Sequence, residues 1–111
     1  MIDIDIVCPI YKESATLENL VKSFSTQVGV NIKNIIFPVT LSHTEEDDVI
    51  RDIIKRYGIT SFELEKEQFS HSLTREKAIR EYCSSRCVVM ISQDIKLTNE
   101  DVFFNLVKSI D

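Results

Sequence analysis

Cys87-Val88-Val89-Met90-Ile91, running straight into Ser92-Gln93-Asp94, is the stretch on which the reading of this chain turns. An unbroken apolar run of that length, too short for a helix and carrying β-branched residues, predicts a strand covered on both faces. Such strands belong to parallel sheets, where helices lie above and below. The polar triplet that follows marks the strand's carboxyl end.

Outward from that strand, strand-like and helix-like segments alternate along the whole chain. Just before it, a helix is predicted from Ser70 or Ser72, with Leu73, Ala78, Ile79 and Tyr82 facing inward. Thr60 to Leu64 alternates as a strand. Val49, Ile50, Ile53, Ile54 and Tyr57 form the apolar stripe of another helix, closed by Gly58 at its C′ position. Ile35-Ile36-Phe37 reads as a buried strand ended by Pro38. Leu17, Leu20, Val21, Phe24 and Val28 make the stripe of a first helix, capped by Ser14 or Thr16. Ile4, Ile6 and Val7 form a first strand that stops at Pro9. Beyond the decisive stretch, Thr98-x-x-Asp101 resembles a capping box leading into Val102, Phe103, Leu106, Val107 and Ile110. Strands joined by helices of this length pair in parallel through right-handed crossovers. The expected fold is therefore α/β, a three-layer, doubly wound sandwich around a parallel sheet.

Composition agrees with one compact unit. The 111 residues are 43% hydrophobic and 28% charged, which suits a single globular domain spanning 1–111. A net charge of −5 opposes a nucleic-acid surface, which needs clustered lysines and arginines. Met1-Ile2-Asp3-Ile4-Asp5 lacks the basic region and apolar stretch of a secretory signal, so a cytoplasmic location is expected. Cys8, Cys83 and Cys87 read as small buried hydrophobes. A zinc site would need more ligands, at suitable spacing, than His43 and His71 supply.

In a doubly wound fold the ligand sits outside the carboxyl ends of the strands. Those ends are Pro9 to Glu13, Val39 to Thr44, Glu65 to Ser72 and Ser92 to Lys96, and unusual polar residues collect there.

Four of these stretches together resemble the family-2 glycosyltransferases. Ile4-Asp5-Ile6-Val7-Cys8-Pro9-Ile10-Tyr11-Lys12-Glu13, followed by a helix with Leu17, Leu20 and Gln27, is similar to that family's opening strand, Pro-x-Tyr-Asn turn and helix. Ile91-Ser92-Gln93-Asp94 resembles its short acidic motif, in the Gln-Asp form of a bacterial rhamnosyltransferase-like branch. Phe69-Ser70-His71-Ser72-Leu73-Thr74-Arg75-Glu76, with Ala78 after it, resembles the same branch's segment ahead of helix three. The match spans nearly the whole chain and implies a GT-A, Rossmann-like fold with a parallel sheet ordered 3-2-1-4.

The resemblance also implies chemistry. The chain would be the nucleotide-sugar-binding domain of an inverting glycosyltransferase, serving surface polysaccharide synthesis with a saccharide or lipid-linked acceptor. Pro9, Tyr11, Glu13, Thr40, His71, Arg75, Ser92 and Gln93 would contact the nucleotide diphosphate sugar, Tyr11 by stacking on the base and Arg75 by pairing with phosphate. Asp94 would bind Mg²⁺ or Mn²⁺, hard cations that favour oxygen ligands. The longer protein would associate with a membrane. Two positions depart from the family's pattern. Its Asp-Asp-x-Ser motif falls on Val39-Thr40-Leu41-Ser42, where both acids are gone, and Ser92 replaces the first acid of the metal motif.

The carboxylate that serves the family as general base lies beyond the metal motif, and no residue here is a candidate for it. Glu45-Glu46-Asp47-Asp48 reads instead as a solvated helix N-terminus complementing the helix dipole. Without its acceptor part, the strand at Val88 to Ile91 would leave an apolar edge open, and self-association through that edge is expected. A reading from another class is a non-catalytic α/β interaction module that kept the fold. A receiver-like domain is excluded by the lack of an acidic pair after strand one and of an aspartate after strand three.

Overall fold

A computed structural model describes residues 1–108. The elements follow the expected alternation: β1 (Ile2–Val7), α1 (Ser14–Phe24), β2 (Val30–Thr40), α2 (Glu45–Tyr57), β3 (Thr60–Leu64), α3 (His71–Tyr82), β4 (Cys87–Met90) and α4 (Val102–Val107). The four strands form one sheet ordered β3-β2-β1-β4, and every pairing in it is parallel. This is a GT-A, Rossmann-like sheet, with helices on both sides.

Side-chain alternation along β1 builds the three layers. Ile4, Ile6 and Cys8 point into the larger core, where Leu17, Leu20 and Phe24 of α1, Ile50 and Ile53 of α2, and Phe103 and Val107 of α4 meet them. Val7 points the other way, onto Ala78 of α3, in a smaller core shared with Ile36 and edged by Phe62 and Tyr82. Each large apolar side chain buried there contributes about 1.5–3 kcal/mol.

Several elements differ from the sequence reading. Pro38 does not end its strand: β2 runs on to Thr40. The Pro38 carbonyl accepts the Ile10 N–H at 2.8 Å, so its ring nitrogen faces β1's side beyond Val7, where that strand has already stopped. Helix α1 is capped by neither Ser14 nor Thr16 but starts after Glu13, whose φ of 52° is left-handed. Val28 lies past the end of α1 and is exposed, while its N–H donates to the Glu100 carbonyl. Val49 and Leu73, assigned to inward stripes, are 46% and 67% exposed. On α3 Ala78 is buried and Ile79 and Tyr82 are half-buried as expected, while Thr74 takes the inward place expected of Leu73.

The cap of α3 at Ser70 and the left-handed Gly58 after α2 are as expected. The capping box at Thr98 is not: α4 begins after Asp101 with no side-chain cap. Its Phe103 N–H donates to Gln27 Oε1 at 3.0 Å, and Gln27 Nε2 donates to the Asn99 carbonyl at 2.8 Å. A buried glutamine from beyond α1 thus does the capping work. Ile110, placed on the last helix by its spacing, lies outside the described residues.

Candidate functional site

All four strand ends contribute to one cleft, and a single side chain ties two of them. Gln93, just after β4, accepts the Tyr11 N–H at 2.8 Å and donates to the Lys12 carbonyl at 2.7 Å. The two bonds hold the peptides on either side of the Tyr11–Lys12 linkage and tie the turn after β1 to the turn after β4. That turn is strained: Lys12 and Glu13 both sit at φ 52°, a region that L-residues with a Cβ avoid. Strain of this sort persists where its surroundings over-determine it, and it gathers at ligand sites.

On one side of Gln93 lies a cleft of about 230 Å³, lined by Pro9, Ile10, Tyr11, Thr40, Lys66, Phe69 and Gln93 itself. The Lys66 ammonium stands 5.5 Å from the Tyr11 ring centroid and that of Lys12 stands 5.4 Å from it, both within cation–π range. Pro9 and Phe69 also border a neighbouring depression of about 360 Å³ that holds His71 and Arg75 at the start of α3. The α3 N-terminus therefore presents His71 and Arg75 in a depression that shares two walls with the Tyr11 cleft.

Beyond Gln93 on the other side, Glu13 and Asp94 line a third groove, between α1 and the segment after β4. Asp94 Oδ1 accepts the Ser92 hydroxyl at 2.7 Å, which fixes the carboxylate at the strand end. Its charge is felt at Cys8: burial first, and Asp94 second, push that thiol up to about 12. Cys8 is thus a neutral apolar group in the core.

Of the residues expected at the site, Pro9, Tyr11, Thr40 and Gln93 share one cleft, His71 and Arg75 share the next, and Glu13 and Asp94 share the third. Ser92 acts on Asp94 and lines none of them. Ser42 turns its hydroxyl to Asp47 at 2.8 Å, away from the cleft. Asp47 also accepts the Ser42 and His43 N–H groups and is buried, while Glu46 Oε1 accepts the Ser14 N–H at 3.3 Å. Half of the acidic run is therefore internal scaffolding rather than solvated surface. Glu46 supplies the α1 N-terminus with the acceptor that Glu13's side chain does not.

Lys66 and Phe69 were not singled out by the sequence reading as ligand contacts. Their signal was position alone, in the Glu65 to Ser72 strand end. Among the described residues no three His, Cys, Asp or Glu side chains come together as a metal centre. Asp94, with Ser92 bonded to it, offers a divalent cation one carboxylate, so the remaining ligands would have to come from a bound diphosphate and water. That donor set fits Mg²⁺ or Mn²⁺ held jointly with a ligand.

No family model matches the chain, and no curated protein matches it. Among solved structures it is similar to glucosyl-3-phosphoglycerate synthase from Mycobacterium tuberculosis, determined in complex with Mn²⁺, uridine diphosphate and phosphoglyceric acid. The TM-score is 0.64 at 22% sequence identity, over 97% of this chain and 38% of that one. The chain thus spans well under half of its neighbour's length, and a likeness at this identity establishes the fold. Among the described residues no helix is long and apolar enough to cross a membrane.

Proposed function

We propose that this chain is the donor-binding part of an inverting family-2 glycosyltransferase of the rhamnosyltransferase-like branch. It holds a nucleotide diphosphate sugar whose sugar passes to a saccharide or lipid-linked acceptor in surface polysaccharide synthesis. The observation that carries the reading is the double hydrogen bond of Gln93, which fastens an aromatic cleft and a carboxylate to opposite sides of one residue. That arrangement suits a ligand with a ring at one end and a diphosphate at the other. The neighbour in the solved structures binds uridine diphosphate and Mn²⁺ on the same fold.

In this reading Tyr11 stacks on the base, with Pro9 and Thr40 lining its cleft, and Arg75 and His71 approach phosphate oxygens. Asp94 holds Mg²⁺ or Mn²⁺ jointly with the diphosphate, oriented by Ser92, and Glu13 borders the same groove. The cation, when bound, stabilises negative charge on the leaving diphosphate. No described residue is placed as general base, so the glycan acceptor and the base belong to a further part of a longer protein. That protein works in the cytoplasm at a membrane.

A second reading, a non-catalytic α/β interaction module, draws on Thr40 and Ser92, which stand where the family carries acids. Calorimetric titration with uridine and thymidine diphosphates, with and without Mg²⁺, separates the two. The donor-binding reading expects weak, metal-dependent binding that Asp94→Ala reduces about tenfold or more. Amide shifts of Tyr11, Arg75 and Asp94 should cluster in the same titration followed by NMR. Binding that ignores both the metal and Asp94→Ala would remove the site assignment. No binding by any nucleotide would leave the interaction module.

A further inference from the structure

Residues 65–69 run from the end of β3 to the cleft as one tight turn. The Glu65 N–H donates to Gln68 Oε1 at 2.7 Å, the Gln68 N–H to the Glu65 carbonyl at 2.9 Å, and the Phe69 N–H to the Lys66 carbonyl at 3.3 Å. Closed in this way, the turn carries Lys66 and Phe69 along with Glu65. Both are walls of the Tyr11 cleft, and Phe69 also borders the depression that holds His71 and Arg75. Among the described residues a single hydrogen bond ties the turn to a distant part of the chain, the one of 2.7 Å between Glu65 Oε2 and His43 Nε2.

His43 is the fixed end of that bond. Its backbone is left-handed at φ 60°, and its N–H donates to Asp47 Oδ2 at 2.8 Å. Asp47 is buried and also accepts the Ser42 N–H at 3.0 Å and the Ser42 hydroxyl at 2.8 Å, so α2 holds the loop after β2 in that shape. The movable end is the turn. Three carboxylates act on the imidazole: Glu65, Asp47 at the start of α2, and Glu67 on the turn itself, and each favours the protonated ring. A bond from a protonated imidazole to a carboxylate is also shorter and stronger than one from a neutral ring.

We propose that His43 and Glu65 are a positioning pair for the cleft: a proton gained by His43 draws in the turn that carries Lys66 and Phe69, and its loss releases the turn. The cleft then holds its ligand more tightly at mildly acid than at alkaline pH. The inference rests on the donor-binding reading for the nature of that ligand, and adds a control by pH. The sign follows from linkage. With the pair formed, the hydrogen bond to Glu65 holds the histidine's pKa above its ordinary 6.5, and with the turn released it returns there. Protonation therefore favours the drawn-in form, fully below about pH 6.5, and the gain is lost as pH rises through the higher value. Both side chains are exposed, so water and salt screen the pair and the effect is only a few-fold.

The test is calorimetric titration of the chain with uridine diphosphate glucose and Mg²⁺ at low salt, from about pH 6 to about pH 8.5. Both phosphates of that probe are esterified, so the probe does not titrate in the range. Binding should be about two- to fivefold tighter at the acid end, the reach of an exposed ion pair. Glu65→Gln keeps an acceptor without the charge, and His43→Asn suits the left-handed backbone; each should flatten the dependence. Should either variant fail to fold, the other decides. With no ligand present, the Lys66 and Phe69 amides should follow the His43 midpoint in an NMR titration, and lose that response in Glu65→Gln. His71 is the other histidine of the chain, its ring centroid 4.9 Å from that of Phe69, and is the rival source of any pH effect. A dependence that survives Glu65→Gln would belong to His71 and overturn the inference. So would an affinity that is flat with pH in the native chain, or Lys66 and Phe69 amides that ignore the His43 midpoint. No binding at any pH, with those amides still following His43, would overturn the donor-binding reading and leave the positioning pair standing.

Discussion

At Asp5 a carboxylate with no exposed surface sits in the middle of β1, surrounded by donors from elsewhere in the chain. A register shift between Ile4 and Asp5 sets Asn34 opposite it, and Asn34 Nδ2 donates at 2.9 Å. The Ser84 and Ser85 N–H groups donate at 2.6 and 2.9 Å, and the Ser85 hydroxyl at 2.8 Å. Burial raises the carboxyl's pKa, but these bonds outweigh it and hold the group below its ordinary value. The sign of the pH dependence follows. A depressed folded pKa contributes stability that is present above the unfolded value, about 4, and lost as pH falls through the folded one. Urea unfolding should therefore show stability falling below about pH 4 in the native chain, with a smaller fall in Asp5→Asn. At neutral pH, Asp5→Asn should cost about 2–3 kcal/mol, because the serine amides lose a charged acceptor. An unchanged unfolding midpoint would show that Asp5 is not the tie between β1 and the segment before β4. The sequence carries no sign of this role. An alternating Ile-Asp-Ile reads as a half-exposed strand, and the donors lie about 30 and about 80 positions away along the chain.

At the scale of elements, two connections can be tested apart from any ligand. Gln27 joins α1 to α4 through the Phe103 amide and the Asn99 carbonyl. Gly29, at φ 81°, lets the chain pass the Phe104 ring, where an added Cβ would meet it at 2.8 Å. Gln27→Leu should therefore speed hydrogen exchange at Phe103 about tenfold or more while leaving the amides of β1 protected. Equal protection in both proteins would make the glutamine dispensable. The other connection is His43 Nε2 with Glu65 Oε2 at 2.7 Å, which links the loop after β2 to the loop after β3 beside the cleft. The hydrogen bond to Glu65, then its charge, raises the histidine's pKa above 6.5. A raised folded pKa contributes stability that is complete below the unfolded value and lost as pH rises through the folded one. An NMR titration should place the His43 midpoint above 6.5, and Glu65→Gln should bring it down. A midpoint that does not respond to Glu65→Gln would mean the pair does not form in solution. Both connections escaped the sequence reading for one reason. Glutamine and histidine at element ends have too many partners in reach for spacing to choose among them.

For the molecule as a whole, β4 stands at the end of the described sheet, beside β1 alone, with Val88 and Met90 half-buried. Backbone groups on the far side of such a strand recruit other chains. Self-association through β4 is the expected outcome, together with no glycosyl transfer by this chain alone, since no general base is placed among the described residues. Light scattering should show dimers or larger species at high concentration, and an assay with several nucleotide sugars should show no turnover. A clean monomer would count against the edge argument, and turnover would show that a base had been overlooked. The sequence by itself determined the alternation of strand and helix, hence the parallel pairing and the edge at which polar residues gather. Periodicity and turn residues act over a few positions, and the right-handed crossover then limits the topology. Resemblance supplied the strand order, which local pattern does not contain. Tertiary structure alone decided which polar residues do what. Gln93 reaches Tyr11 and Lys12 across about 80 residues, Glu46 reaches Ser14 across about 30, and Thr40 is left with a free hydroxyl facing the cleft. A hydrogen bond depends on where two atoms arrive in space, and one-dimensional spacing holds no record of that.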